Sequence, residues 1–456
     1  MKAVKMSQNF TEGKIFSPLV RFTGPLLLAL LLQTMYGAVD MMVVGQFATA
    51  ADVSAVSTGS WIVSIITSFV VGISMGTTIL LGRRIGEGKP EEGGKIIGAS
   101  IVMFITIAVV LTAIVELLAV PLARLLQTPE EAFDATMRYM RICAAGTIFI
   151  AAYNVLGSIF RGIGNSTVPL LTVAVACVVN ICGDLLLCGV FHMAAAGAAI
   201  ATVAAQGISV MLSLLLIRGR KFQFSFSPKR DIRADKKIMA QVFKLGLPIA
   251  FQDMLVSISF MAITAIVNSL GVIASAGVGV AEKLCSFIMM VPSAFSQAMS
   301  AFVAQNMGAG KPKRARRALL CGIATSFGVG IFMFILAFFF GDIMSILFTK
   351  DAQVIAASAD YLKSYAVDCL LVAFMFCLTG YFSGCGHTTF VMTQGIVGAF
   401  LVRIPVAFFM SRVEPVSLFL VGLATPSSTL VQTILCLIYF AVLLKKEQRG
   451  ESTLRA

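Results

Sequence analysis

The chain has 456 residues, of which 58% are hydrophobic and only 12% charged, with a mean hydropathy of +0.94. Globular domains average about 25% charged residues, so a soluble fold is excluded and the chain reads as an all-α polytopic membrane protein. Its formal charge of +13 falls in alternate loops, a placement that argues against nucleic acid and for anionic inner-leaflet lipid as the partner.

A membrane span needs about 20 apolar residues. Division at charged, Gly and Pro breaks predicts spans over 16–45, 53–80, 96–126, 132–156, 168–190 and 194–217. A second set follows at 242–270, 275–303, 316–348, 353–381, 389–411 and 414–444. No N-terminal stretch reads as a cleaved signal, because the first apolar run is too long for an h-region and no small-x-small site follows it. The polar linker 218–239, opening "RGRKFQFSFSPKRDIRADKK", divides the chain into lobes 1–217 and 240–456. Basic residues cluster at Arg83, Arg84, Lys89 and Lys95, in the linker (Arg220 and Lys221 among them), at Lys311 to Arg317 and at Lys445 to Arg449. By the positive-inside rule both termini are cytoplasmic, with the protein multi-pass in the plasma (inner) membrane.

The halves repeat. "RIGEGKP" (84–90) matches "NMGAGKP" (306–312), with 308 − 86 and 310 − 88 both 222. "FRGIGNST" (160–167) matches "FSGCGHTT" (382–389) at the same offset, and Pro25 and Pro248 differ by 223. Six spans per repeat bring the second copy into the membrane in the same orientation, so the repeats are parallel, an arrangement that places substrate between lobes near the midplane. Gly86, Gly88, Gly308 and Gly310 then serve tight cytoplasmic turns. A phosphate-loop reading of "GEGKP" is weak, since Pro stands where Ser or Thr is required.

Polar residues inside the spans are the functional signal. Asp40 is the only ionisable residue between Thr23 and Phe47, and a carboxylate at mid-bilayer costs roughly 2.5–3.5 kcal/mol to insert. Gln33, Tyr36 and Asp40 share one helix face by spacing, as do Asn180 with Asp184 and Thr202 with Gln206; Tyr139 adds a hydroxyl from the fourth span. Close, dehydrated carboxylates cannot both stay ionised, so one can carry a proton. Alternatively, Asp40, Asn180, Asp184 and Thr202 offer oxygens to Na⁺. Helix–helix glue would be cheaper from Asn or Ser, because such bonds average only about 0.6 kcal/mol.

In the second half, Tyr361, Tyr365 and Asp368 share a face, and Gln252-Asp253 and Glu282-Lys283 interrupt apolar runs. Lys283 reads as neutralising Glu282 or a carboxylate elsewhere, a structural role for the pair. Asp253 sits early in its span, at interfacial depth, and Asp368 is the better candidate for a cationic substrate or a second coupling site. The 35 Phe and 23 Met suffice to line a cavity for flat lipophilic cations. Most of the ten cysteines lie in apolar runs and read as packing groups, and two histidines exclude a His-rich metal centre.

Together, the Pro-containing first helix ("GPLLLALLLQTMYGAVDMMVVGQF"), the paired "GEGKP"/"GAGKP" turns, the "RGIGNST"/"SGCGHTT" loops and "NICGD" resemble the multidrug and toxic compound extrusion (MATE) family, over about Phe16 to Lys446. The resemblance implies twelve transmembrane helices in two parallel-repeat six-helix lobes, forming a V-shaped transporter, not an enzyme, that exchanges H⁺ or Na⁺ for organic cations. It implies coupling-ion positions at Asp40, Asn180, Asp184, Tyr139 and Thr202, and resemblances of Asp368 and, loosely, Asp253 to carboxylates of another branch. Gln33, Tyr36, Gln206, Asp253, Tyr365 and Asp368 are the expected substrate contacts. No cofactor beyond the coupling ion and no obligate protein partner are expected. One rival is a lipid-linked oligosaccharide flippase of the same superfamily, which would want basic residues in a membrane interior that here reads as mainly acidic. The other, a lipid-modifying membrane enzyme, would want an interfacial catalytic cluster that is not found.

Overall fold

Within lipid every backbone polar group must find its partner inside the chain, which long apolar helices achieve. The computed structural model describes residues 9–89, 91–126, 128–218 and 226–449; Pro90 of the first turn, Arg220 and Lys221 of the linker, and both chain ends lie outside them. Among the described residues every regular element is helical. The first half comprises α1 (Phe16–Phe47), α2 (Ala50–Gly86), α3 (Glu91–Leu125), α4 (Glu130–Ala145), α5 (Thr147–Gly162), α6 (Thr167–Asp184), a π-helical turn (Leu185–Val190) and α7 (Ala194–Arg218). After the short linker helix α8 (Pro228–Asp231), the second half comprises α9 (Lys236–Asn268), α10 (Val272–Gly308), α11 (Pro312–Phe339), α12 (Gly341–Ile346) and α13 (Ala352–Gly384). It ends with α14 (Thr388–Ile396), a second π-helical turn (Val397–Arg403), α15 (Ile404–Met410), α16 (Leu418–Gly422) and α17 (Ala424–Gln448).

Among the described residues eleven helices are long and apolar enough to cross a membrane, and the α4–α5 pair, bent by 48°, makes up to twelve. The bend falls at Gly146, where a Cβ would overlap the Val203 side chain of α7. Large side chains stand exposed along the helices, such as Leu117 at 79% and Val272 at 86%. Apolar surface on this scale requires lipid against it.

The expected boundaries shift where capping extends a helix. α2 starts at Ala50, not 53, because Thr49 and Asp52 form a capping box: Asp52 N–H donates to Thr49 Oγ1 and Thr49 N–H to Asp52 Oδ2. α9 starts at Lys236, not 242, because Asp235 Oδ1 accepts from the N–H groups of Lys237 and Ile238. Asp253 therefore lies at the middle of α9 and not early in it, as was expected. The ninth span ends at Phe339 rather than 348, with α12 a separate short helix, and the twelfth begins at Leu418 rather than 414.

The repeated turns share one geometry. Lys89 N–H donates to Arg84 O and Lys311 N–H to Asn306 O, while Gly88 and Gly310 take φ of 71° and 66°. The other pair follows suit, with Asn165 to Phe160 and His387 to Phe382 around Gly164 and Gly386. All four are helix-terminating motifs in which a left-handed residue turns the chain out of the helix, a conformation that costs glycine least.

The chain divides into two compact units, one of Gly24–Ala250 and one of Phe10–Thr23 with Phe251 onward. In the first, α2 crosses α9 at backbone contact: a Cβ on Gly72 would overlap Ala250, and one on Gly246 would overlap Ile73. Small residues permit such close crossings in membranes. In the second, α13 packs between α10 and α11, and a strap ahead of α1 is pinned. There Phe10 lies against Phe22 and Phe302, and Arg314 donates to the carbonyls of Phe10, Glu12, Gly13 and Lys14.

Candidate functional site

Three helices of the first unit bring the expected polar residues together. Asp40 comes from α1, Asn180 and Asp184 from the last turns of α6, and Thr202 and Gln206 from α7; Asn180 and Asp184 are fully buried and Asp40 is 8% exposed. The Thr202 hydroxyl donates to Asp40 Oδ2 at 3.3 Å and accepts from Asn180 Nδ2 at 3.4 Å. The carboxyls of Asp40 and Asp184 are close enough to act on each other electrostatically. Two ionised carboxylates offer only acceptors, so neither satisfies the other. The π-helical turn begins directly after Asp184, and such turns recur at functional sites.

Satisfaction of the polar atoms fails in one direction only. Asp40 Oδ1, Asn180 Oδ1, both Asp184 carboxyl oxygens and Gln206 Oε1 are buried without a hydrogen-bond donor. Five acceptors facing no donor call for protons or a hard cation. Carboxylate, amide and hydroxyl oxygens suit Na⁺ as well as a proton relay, so the donor set fits either ion. Alongside lies a cavity lined by Tyr36, Tyr153, Asn180, Thr202 and Gln206, with about 10 Å³ of room for a water-sized centre. That is space for one water or one small ion, not for an organic molecule.

The other expected residues divide. Tyr36 and Gln206 line this cavity together, which ties two expected substrate contacts to the acidic cluster, while Gln33 lies on the same helix as Tyr36. Tyr139 sits in the neighbouring apolar packing with its hydroxyl 3.2 Å from Ser60 Oγ, and its ring fills the space a Cβ on Gly59 would take. Tyr153 is an addition the sequence did not yield, since a lone tyrosine in an apolar stretch has no spacing to betray it.

In the second unit, Tyr361, Tyr365 and Asp368 are buried on α13, with Asp368 1% exposed and its Oδ1 without a partner. Asp253 is exposed on α9. Glu282 accepts from Thr264 Oγ1 at 3.3 Å, while Lys283 is exposed and makes no direct ion pair with it. The interior also holds a base that the reading of an acidic interior passed over. Arg403, 4% exposed, donates from Nη1 to Ser259 Oγ at 2.9 Å and lies over the Phe260 ring at 4.4 Å. An arginine isolated in "GAFLVRIPVAFF" carries the same insertion penalty that singles out Asp40. All ten cysteines are free, and no cluster of three or more His, Cys, Asp or Glu able to hold a metal ion occurs among the described residues.

Comparison with known proteins gives a consistent result. The MatE family model matches residues 25–186 and 248–409, and both ends of the two matches differ by 223. The chain is 27% identical over 449 residues to the probable multidrug resistance protein YoeA of Bacillus subtilis, covering 97% of each chain. It is 24% identical to the multidrug export protein MepA of Staphylococcus haemolyticus, covering 88% of each. Among solved structures, an outward-facing multidrug resistance transporter aligns with a TM-score of 0.91 at 19% identity, over 98% of this chain and 100% of that one.

Proposed function

The chain belongs to the MATE family of multidrug efflux transporters, multi-pass membrane proteins and not enzymes, and on that premise we propose that it is an antiporter exporting small organic cations in exchange for H⁺ or Na⁺. The observation that carries the reading is the set of five donorless acceptor oxygens around Asp40 and Asp184. Occupation by a cation satisfies them, and its release leaves two buried carboxylates in repulsion. The ion therefore has different affinities for different arrangements of α1, α6 and α7, and differential affinity is what shifts a conformational equilibrium. The ion site is too small for the exported compound, so Gln33, Tyr36 and Gln206 act as its border, while Asp253, Tyr365 and Asp368 remain the substrate candidates of the second lobe. Tyr139 supports the site by packing. The gathering of basic residues in alternate loops supports a plasma-membrane protein with both termini cytoplasmic and anionic lipid around those loops.

The test is efflux of a fluorescent organic cation from proteoliposomes with Na⁺ and pH gradients imposed separately. Efflux driven by one gradient and absent in Asp40→Asn identifies the ion. Transfer of a labelled lipid-linked sugar without either gradient would replace this reading with the flippase.

A further inference from the structure

The bent span of α4 and α5 carries two positive charges on its outer face. From Ala135 to Phe160 the only charged residues are Arg138 and Arg141. The buried side of α4 packs on α2 and α3 through Met137, Met140 and Ala144, and on α7 through Tyr139 and Cys143. Arg138 and Arg141 stand on the opposite side and are exposed, as is Asp134 one turn before Arg138.

Neither guanidinium is satisfied by the protein. Arg141 Nε lies 3.6 Å from Glu116 Oε2 of α3, with side chains 60% and 41% exposed, a separation too long for a hydrogen bond. Arg138 makes no ion pair, and its Nε reaches only the main-chain carbonyl of Asp134, at 3.4 Å. That contact runs one turn back toward the start of α4, so the side chain climbs toward Glu130.

The start of α4 marks a membrane surface, because Arg124, Glu130, Glu131 and Asp134 crowd the connection from α3. It lies at the other end of α3 from the basic Arg83 to Lys95 turn. Arg138 and Arg141 are roughly 12 and 16 Å along the helix from Glu130, at 1.5 Å per residue. From that depth long basic side chains reach back to the lipid headgroups. The surface alongside is apolar and open: Ile114, Leu117 and Leu118 flank Glu116 on α3, and Ile148 and Phe149 follow on α5, all of them exposed. Guanidinium forks match phosphate oxygens in geometry and charge, while exposed apolar surface in a membrane matches acyl chains.

We propose that Arg138 and Arg141 hold the phosphate of an anionic phospholipid whose acyl chains lie along α3 and α5. Glu116 competes with that phosphate for Arg141. The bound lipid braces α4 from the outer side while Tyr139 and Cys143 pack on the inner one. The site stands apart from the Asp40–Asp184 cluster and requires no coupling ion, so it holds whether or not the protein is an antiporter.

Binding of fluorescent phosphatidylglycerol to the purified full chain in nonionic micelles tests it. The double variant Arg138→Gln with Arg141→Gln should bind at least about tenfold more weakly, as charge-assisted bonds are lost. Arg412→Gln, which removes an exposed charge lying over the Phe408 ring in the second unit, should bind as the unmodified protein does. Glu116→Gln frees Arg141 and should bind more tightly, which decides the matter even if the double variant does not fold. Unlabelled phosphatidylglycerol should displace the probe, whereas diacylglycerol or inorganic phosphate should not. Unchanged affinity in the folded double variant or in Glu116→Gln overturns the proposal, as does displacement by inorganic phosphate or by diacylglycerol. A dimer in lipid-free micelles that the double variant abolishes would also overturn it, by placing a second copy of the chain on this face.

Discussion

Thr202 donates its hydroxyl to Asp40 Oδ2 at 3.3 Å, and this bond ties α7 to the carboxylate of α1. Thr202→Val removes the donor while keeping the shape. A hydrogen bond to a buried group is worth about 1 kcal/mol net, roughly a fivefold effect on an equilibrium. Coupling-ion affinity, measured by calorimetry, should change by about that factor in Thr202→Val and stay near the original in Thr202→Ser. Equal behaviour of the two variants would show that the hydroxyl plays no part.

Asp40→Asn and Asp184→Asn should each reduce gradient-driven efflux to the leak rate. Neither should lower the melting temperature, since each removes a charge that costs roughly 2.5–3.5 kcal/mol to hold in the membrane. Efflux and thermal melting on the same preparation separate loss of coupling from loss of fold. An inactive variant that also melts early would point to a structural role for the carboxyl.

The crossing of α2 and α9 has no room for side chains at Gly72 and Gly246. Gly72→Val should destabilise by about 1–3 kcal/mol through overpacking, whereas Gly45→Ala, in open space, should change little. Melting curves of the two variants compare the sites directly.

Outside the membrane, the Arg230 guanidinium beside Asp231, together with the Ser227 N–H, holds the Asp231 carboxyl below the usual carboxylate range. A depressed folded-state pKa contributes stability above the unfolded value of about 3.9 and loses it as pH falls through the folded one. Protection against hydrogen exchange around residues 226–235, taken relative to the intrinsic rate at each pH, should therefore be high at neutral pH and fall below about pH 4. Asp231→Asn should show low protection at both pH values.

Most of the fold was legible because lipid permits few solutions: an apolar run of sufficient length must be a helix, and a constant offset between motifs must be a repeat. The limits of α9 were not, because they depend on one Asp235 side chain capping a charged stretch that hydropathy places outside the span. Spacing correctly grouped Gln33, Tyr36 and Asp40 on one face, but it cannot say which helix that face meets. For the same reason it could not show that Tyr139 bonds Ser60 instead of a carboxylate. Arg403 carried a visible signal, a lone charge in an apolar run, and was eclipsed by the more numerous acidic residues.

The Arg314 clamp leads to a further consequence for how this sequence can drift. Its four acceptors are main-chain carbonyls, which every amino acid supplies alike. Lys14 is therefore open to replacement without weakening the grip, while Phe10, enclosed by two aromatic rings, Glu12, whose charge acts on Arg314, and Arg314 itself are not. Substitutions should accumulate in the strap around these fixed points, so that related chains would keep its path long after its letters had changed.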